Sequence, residues 1–493
     1  VKQKAATIAN TAANAVSPTS SAAAVSVAPA AAASNATIPI ATTELYPYDT
    51  FIKLWKSSSL ANKLPCGIFN LGNTCYINAI LQVLLATRPL AAYLLTKEHT
   101  CPSPAANLYG NTKNEWCPLC CLVSLAQDVF GKSPTGGAAG GSSSTGGQFA
   151  RDPLSIRNFV HYVHQLNSSF TFGDQHDAQE LYVALLDAIE CVSLRENEAK
   201  INDGAAVIKN IDQFSKQTTL MNHVFTCYTR TQVECTSCGK VSKSYASDTG
   251  IMLSVPEENK LKNSTAAGVA GAGAAAYTLE NLLENFTCTE VLEGDDAYRC
   301  DACNARVKAH KSNVIEIAPN ILAIQLSRVG MNFFSTGGEF AQKNSAAVEF
   351  PLELDLTPFM AADALDAAPA VYELYGVVTH EGSTTEDGHY IAAVRYGGGR
   401  GRTSTQEGQW FVCDDDVVSP LNVDIVLKQQ EEAYLLFYER KQPRVPQLLQ
   451  SVGVGGEAKA EANGEVLSSL DVSETREKFT STPEVVEEVK PRA

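Results

Sequence analysis

Positive charge is scarce in this chain, and its first stretch lacks both arginine and aromatic residues. Asp and Glu outnumber Lys and Arg 54 to 38, a net charge of −16. That balance excludes the basic footprint of a non-specific nucleic-acid binder. No apolar run approaches the roughly 20 residues that span a bilayer. The run from Ile80 to Leu95 is broken by Gln82, Arg88 and Pro89. A soluble protein with no membrane partner is expected. Fourteen cysteines in 493 residues are too few for a disulfide scaffold, and six of them form three Cys-x-x-Cys pairs. Such pairs read as metal ligands beside a reactive thiol in a reducing compartment, hence an intracellular protein, nuclear and/or cytoplasmic. The front of the chain has neither the apolar core of a signal peptide nor the arginines of a transit peptide, and Val1 leaves room for an upstream segment.

What is present is enough for a large core: 45% of residues are hydrophobic and 19% charged. Residues 1–50, rich in Ala and Ser, and the acidic tail 441–493 are expected to be disordered. One domain is expected between them, over 64–440. Low-complexity stretches near 131–147, 263–276 and 397–408 read as flexible insertions, because loop entropy grows only slowly with length. Ile77, Ile80, Leu81, Leu84 and Leu85 recur at helical spacing within Tyr76–Ala86. A second helix is expected over Asp174–Glu190, with Asp174 as its cap and Asp177 adding charge in the first turn. From Val314 the pattern turns to strands, at Val314–Ala318, Ile321–Leu326, Val371–Thr379, His389–Arg395, Trp410–Val412 and Ala433–Tyr438. Helices first and strands last make an α+β chain.

The segment Gly67-Ile68-Phe69-Asn70-Leu71-Gly72-Asn73-Thr74-Cys75-Tyr76 runs a Gly/Asn loop into a helix whose first turn carries Cys75. The positive end of a helix dipole favours a thiolate, the nucleophilic form. Asn70 offers an amide suited to a developing oxyanion. Alone, a cysteine near a helix start is more often a small buried hydrophobe. A thiol protease also needs an imidazole and an acceptor to orient it. The last third supplies both: Gly388-His389-Tyr390 opens one strand, and Trp410 to Asp416 ends another in three carboxylates. Singly, these would read as a surface histidine and a solvated acidic turn; their order argues otherwise.

With those residues in place, the chain resembles the ubiquitin-specific protease family of cysteine deubiquitinases over roughly Leu64–Arg440. The resemblance rests on the box Gly67–Asn78 with Leu81-Gln82, on Gln175-His176-Asp177-Ala178-Gln179-Glu180-Leu181, and on Tyr375–Gly382 with Gly388-His389-Tyr390. Trp410 with Asp414-Asp415 and the closing Ala433–Tyr438 complete it. It implies a papain-like cysteine protease fold with thumb, palm and zinc-binding β fingers, acting as a monomeric catalytic domain on ubiquitin and ubiquitinated proteins. Cys75 would be the nucleophile, His389 the general base and acid, Asp414 its orienting partner, and Asn70 the oxyanion donor assisted by Asp415. Asp177 and Gln175 would meet the ubiquitin tail, and His380 and Tyr390 would line the channel for its last two glycines. Cys413 departs from the family, which usually has Phe there; Leu181 and Gly376 are milder changes. The rival readings are a catalytically inactive ubiquitin-binding scaffold and a protease for a ubiquitin-like modifier.

Cys235 and Cys238 with Cys300 and Cys303 form two Cys-x-x-Cys pairs, the ligand set of one structural tetrahedral zinc ion. The resemblance puts these pairs at the tips of the finger hairpins. Cys117, Cys120 and Cys121, with Cys101 and His99, allow either a second metal site or half-buried thiols that start a helix. Tyr93–His99 ahead of that cluster resembles a branch of the family that includes nucleolar members.

Overall fold

The computed structural model describes residues 44–57, 60, 63–96, 99, 116–131, 152–201, 213–256, 277–328, 343–364, 368–382, 384, 387–397 and 408–444. Most of the two expected disordered ends, the interiors of the three expected insertions and Cys101 lie outside those residues. The described fold is wider than 64–440. Leu45 is buried and its N–H reaches Thr218 Oγ1 at 2.8 Å, while the Arg444 N–H reaches Asn320 Oδ1 at 2.8 Å. Residues 44–50 of the expected disordered segment are therefore ordered, held by burial of Leu45 and by ring packing of Tyr46 and Tyr48.

Helices come first: α1 (Tyr48–Trp55), α2 (Cys75–Ala86), α3 (Arg88–Thr96), α4 (Pro118–Phe130), α5 (Arg157–Tyr162) and α6 (Ala178–Ile201). Every residue of α2 is buried. An apolar helix of that kind must be covered on all sides, and α2 lies between the main sheet and helices α3 and α6. Its buried Gln82 is satisfied by donating to Cys66 O at 2.7 Å. The second helix starts four residues later than expected. The Asp177 Oδ1 accepts the N–H groups of Gln179 (2.7 Å) and Glu180 (3.0 Å), so Asp177 is the cap, and Asp174 instead takes the Thr171 hydroxyl in the loop before it.

Strands also begin earlier than expected. β1 (Cys227–Cys235) and β2 (Val241–Asp248) form a hairpin, followed by β3 (Ile251–Ser254) and the short β4 (Tyr277–Thr278), which leads into α7 (Leu279–Thr287). Then come β5 (Glu290–Leu292), β6 (Tyr298–Cys300), β7 (Ala305–Val307), β8 (Ala309–Ile317) and β9 (Ile321–Ser327). After β10 (Val348–Glu349) and β11 (Glu353–Asp355), the chain ends in β12 (Val371–Glu381), β13 (His389–Tyr396), β14 (Gln409–Asp414), β15 (Val417–Leu421) and β16 (Ala433–Arg440). One sheet, in the order β2-β1-β8-β5, makes the finger-like arm. The larger runs β15-β14-β13-β12-β16-β9-β3, with β11 added beside β12.

The large sheet separates two cores, and strand alternation assigns residues to each. Tyr390, Ala392, Val394, Leu435 and Phe437 face the helices, where they pack with α2. Ala393, Leu436 and Tyr438 face the other way, onto the core that holds α7. The architecture is α+β: the helical layer presents Cys75 to the strand that carries His389.

Candidate active site

The loop before α2 is shaped by Asn70. Its Oδ1 accepts from Gly72 N (3.0 Å), Thr74 N (3.2 Å) and Thr74 Oγ1 (3.3 Å), and Gly72 and Asn73 both take positive φ. One N–H of the side-chain Nδ2 donates to Asp415 Oδ2 at 2.8 Å. The loop is stitched to the acidic turn through its backbone as well. Ile68 N donates to Asp415 O at 2.8 Å, and a Cβ on Gly67 would stand 2.2 Å from Asp416 O. Only glycine permits that approach.

Cys75 is the first residue of α2 and is buried. Contrary to the expectation from the helix dipole, the thiol is pushed above its ordinary value, mainly by burial. The Tyr390 backbone amide, hydrogen-bonding the sulfur, pulls the other way, and the charge of Asp415 adds to the rise.

His389 begins β13, and its Nε2 lies 2.7 Å from Asp414 Oδ1 at the end of β14. His389, Asp414 and Asp415 bring their nitrogen and oxygen atoms within 4.8 Å of one another. Gly388 makes the strand start possible: a Cβ there would come 2.3 Å from His380 Nε2, and its N–H is held by Gln175 Oε1 at 2.8 Å. Cys413, the second thiol nearby, points into the helical core with 2% exposure, and burial raises it far above its ordinary value. It is a packing residue.

A polar cleft of about 530 Å³ opens beside the nucleophile loop, lined by Asn73, Gln175, Asp177, His380, Asp387 and Tyr390 among others. The rings of His380 and Tyr390 stack at 4.5 Å, with Tyr434 beside both. Burial, reinforced by Lys343, pulls His380 down to about 4, so it is a neutral wall at pH 7. The Asp177 Oδ2 accepts the Tyr434 hydroxyl, and Gln325 Nε2 donates to that same hydroxyl oxygen at 2.8 Å.

The structure thus brings His389, Asp414, Asp415 and Asn70 into contact, sets Cys75 against the Tyr390 amide, and lines the cleft with Gln175, Asp177, His380 and Tyr390. Sequence reasoning missed Asn78, which donates to Asp415 Oδ1 at 2.7 Å and to Ile68 O at 3.2 Å from inside a fully buried helix. Its signal was present: an amide one turn after Cys75 on an otherwise apolar face. Tyr434, inside the closing-strand motif, and Lys343 gave no sign of their contacts with Asp177 and with the His380 carbonyl.

At the far end of the arm, Cys235, Cys238, Cys300 and Cys303 bring their sulfurs within 4.8 Å of one another. Cys235–Cys303 is 3.8 Å and Cys238–Cys300 is 3.7 Å. With Zn–S bonds of about 2.3 Å, the edge of a tetrahedron is roughly 3.8 Å. The donor set and its spacing fit a structural zinc ion. Gly239 and Asn304 at positive φ close the two knuckles.

Comparison with known proteins agrees with this arrangement. The family described as ubiquitin carboxyl-terminal hydrolase matches residues 66–438. Ubiquitin carboxyl-terminal hydrolase 19 of Arabidopsis thaliana is 30% identical over 404 residues, 81% of this chain and 49% of that protein. Ubiquitin carboxyl-terminal hydrolase 42 of Homo sapiens is 28% identical over 396 residues, 80% of this chain and 24% of that protein. The chain spans about half the length, or less, of these relatives. Among solved structures, the SAGA Ubp8/Sgf11/Sus1/Sgf73 DUB module bound to ubiquitin aldehyde shares the fold, with a TM-score of 0.55 and 22% identity over 78% of this chain and 71% of that one.

Proposed function

Because the chain belongs to the ubiquitin carboxyl-terminal hydrolase family, we propose that it is a thiol-dependent deubiquitinase, hydrolysing the bond after the C-terminal glycine of ubiquitin in its conjugates. The observation that carries this reading is Cys75 at the start of α2, its sulfur held by the amide of Tyr390, the residue after His389, whose imidazole is itself held by Asp414 at 2.7 Å. With Nε2 engaged by Asp414, Nδ1 is the nitrogen left to take the Cys75 proton. Burial favours the neutral thiol, so the imidazole takes the proton as the sulfur attacks the glycine carbonyl. The oxyanion forms beside the α2 N-terminus, where Asn70 supplies an amide whose direction Asp415 has already set. The amine leaves with the proton from His389, and water, deprotonated by the same imidazole, releases ubiquitin from the thioester.

The cleft lined by His380 and Tyr390 suits a narrow Gly-Gly segment, and Asp177 places a carboxylate where a basic tail residue would lie. The four finger cysteines would hold one structural zinc, which supplies no chemistry to the reaction and fixes the arm as a ubiquitin-facing surface. Reduced thiols at both sites support a nuclear and/or cytoplasmic setting, and one catalytic cleft complete within one chain supports a monomer. The test is a panel of C-terminal fluorogenic derivatives of ubiquitin and ubiquitin-like modifiers. The wild type should turn over the ubiquitin member most efficiently, and Cys75→Ser should bind ubiquitin without turnover. Near-wild-type cleavage by that variant would remove Cys75 from the mechanism, and a preference for another modifier would replace the substrate.

A further inference from the structure

We propose that Phe69, Asp416 and Val417 form a docking surface for the acceptor side of the conjugate, the segment that carries the modified lysine, and that this surface selects apolar and basic residues beside that lysine. The inference rests on the deubiquitinase reading and extends it to the half of the substrate that the cleft does not hold. Phe69 is 43% and Val417 57% exposed, among the few large apolar side chains left in water in the described residues. One such residue alone would need no explanation. These two lie on adjoining backbone beside the nucleophile.

Their placement follows from the contacts that build the nucleophile loop. The Ile68 N–H donates to Asp415 O, and a Cβ on Gly67 would stand 2.2 Å from Asp416 O, so the segment entering Asn70 lies on the turn that leads into Val417. The Phe69 N–H donates to Leu154 O at 2.9 Å, and Val417 pairs with Asp414 at the start of β15. Both backbones are fixed before any partner arrives, and a surface ordered in advance loses less entropy on binding. The other end of the loop belongs to the cleft: Asn73 donates to Gly173 O at 2.7 Å and lines the cleft wall, which Phe69, Asp416 and Val417 do not. A ubiquitin tail in the cleft brings its last carbonyl to Cys75 and Asn70. The lysine bonded to it then continues past Asn70, whose amide is anchored on Asp415, onto the Phe69 and Val417 side. Phe172, 70% exposed, stands next to Gly173 on the cleft side and is no part of this surface. Asp416 is exposed between the two apolar residues. Together with the net charge of −16, it favours a lysine or arginine neighbour on the acceptor.

The test uses the full chain and ubiquitin joined through its last glycine to the lysine of a fluorescent peptide. Three peptides flank that lysine with leucine and arginine, with leucine and serine, or with glycine and serine. Wild type should cleave the leucine/arginine member about 10-fold more efficiently than the glycine/serine member, mainly through KM. Val417→Ser and Phe69→Ser should each weaken the preference for leucine. Asp416→Asn should remove only the advantage of arginine, as should high salt. A fluorogenic ubiquitin derivative carries a small leaving group without such flanks, so Val417→Ser and Asp416→Asn should turn it over as wild type does. Val417 lies outside the nucleophile loop, and its variant guards against a Phe69→Ser change that disturbs Asn70. Equal cleavage of the three peptides by wild type, or a preference untouched by Val417→Ser, overturns the proposal and leaves the deubiquitinase reading standing. An equal loss on peptide and fluorogenic substrates in Val417→Ser overturns it as well, because the residue would then serve the site and not the acceptor. Failure of wild type to turn over any ubiquitin substrate would overturn the underlying reading and this inference with it.

Discussion

Each oxygen of the Asp415 carboxylate accepts one side-chain amide, Oδ2 from Asn70 and Oδ1 from Asn78, and the residue adopts φ 51° to do so. Asn tolerates that left-handed conformation, so Asp415→Asn tests the carboxylate with little backbone cost. The substituted amide must turn an NH2 group against one of the two asparagines. Asn70 loses its anchor, and turnover of a ubiquitin substrate should fall by about 100-fold, the scale of a lost oxyanion donor. The same substitution removes a negative charge that raises the Cys75 thiol. Alkylation of Cys75 at neutral pH should therefore speed up while turnover drops. Parallel loss of both would mean that Asp415 supports only the fold. At this scale the sequence was informative where a motif fixed a residue by its neighbours, as for Cys75 and His389. It misled where two residues suited one role equally: Asp174 and Asp177 are both acids ahead of an apolar run, and only the backbone path shows which carboxylate meets the free N–H groups.

Among the elements, α6 carries a charge that its surroundings do not favour. The Glu190 Oε1 accepts the Thr219 hydroxyl at 2.8 Å, while its Oε2 has no hydrogen-bond partner among the described residues. Burial raises this carboxyl from its ordinary 4.5 to about 7. Between those values the folded chain binds more protons than the unfolded one, so the stabilisation linked to Glu190 is full below pH 4.5 and lost as pH rises through 7. Glu190→Gln keeps the acceptor for Thr219 and removes the titration. Its melting temperature should match wild type near pH 5 and exceed it near pH 8; equal curves at both values would show that Glu190 carries no such penalty. Elements also explain what the sequence concealed. α2 and the late strands announce themselves through runs with one apolar period, because both faces of the large sheet are covered. β2, reading Val-Ser-Lys-Ser-Tyr-Ala-Ser-Asp, is exposed or half-exposed throughout. With neither face in a core, no alternation marks it as a strand, and the arm was legible only at its cysteines and at the end of β8, within the strand expected over Val314–Ala318.

For the whole molecule, the order of strands in space matters more than their order in sequence. β16 pairs with β12 on one side and β9 on the other, so the last described strand lies inside the large sheet and is part of both cores. A chain ending at Leu427 should show no cooperative melting transition, although it keeps Cys75, His389 and Asp414. A transition near that of wild type would show that the sheet closes without β16. The same topology bears on how the protein is made. During synthesis Cys75 emerges well before β16, and until that strand inserts, β12 and β9 each expose an open edge. A nascent chain thus carries the Cys75 loop long before β16 can complete the sheet around it. Stalling before β16 emerges would leave an edge-exposed, aggregation-prone intermediate that needs chaperone cover.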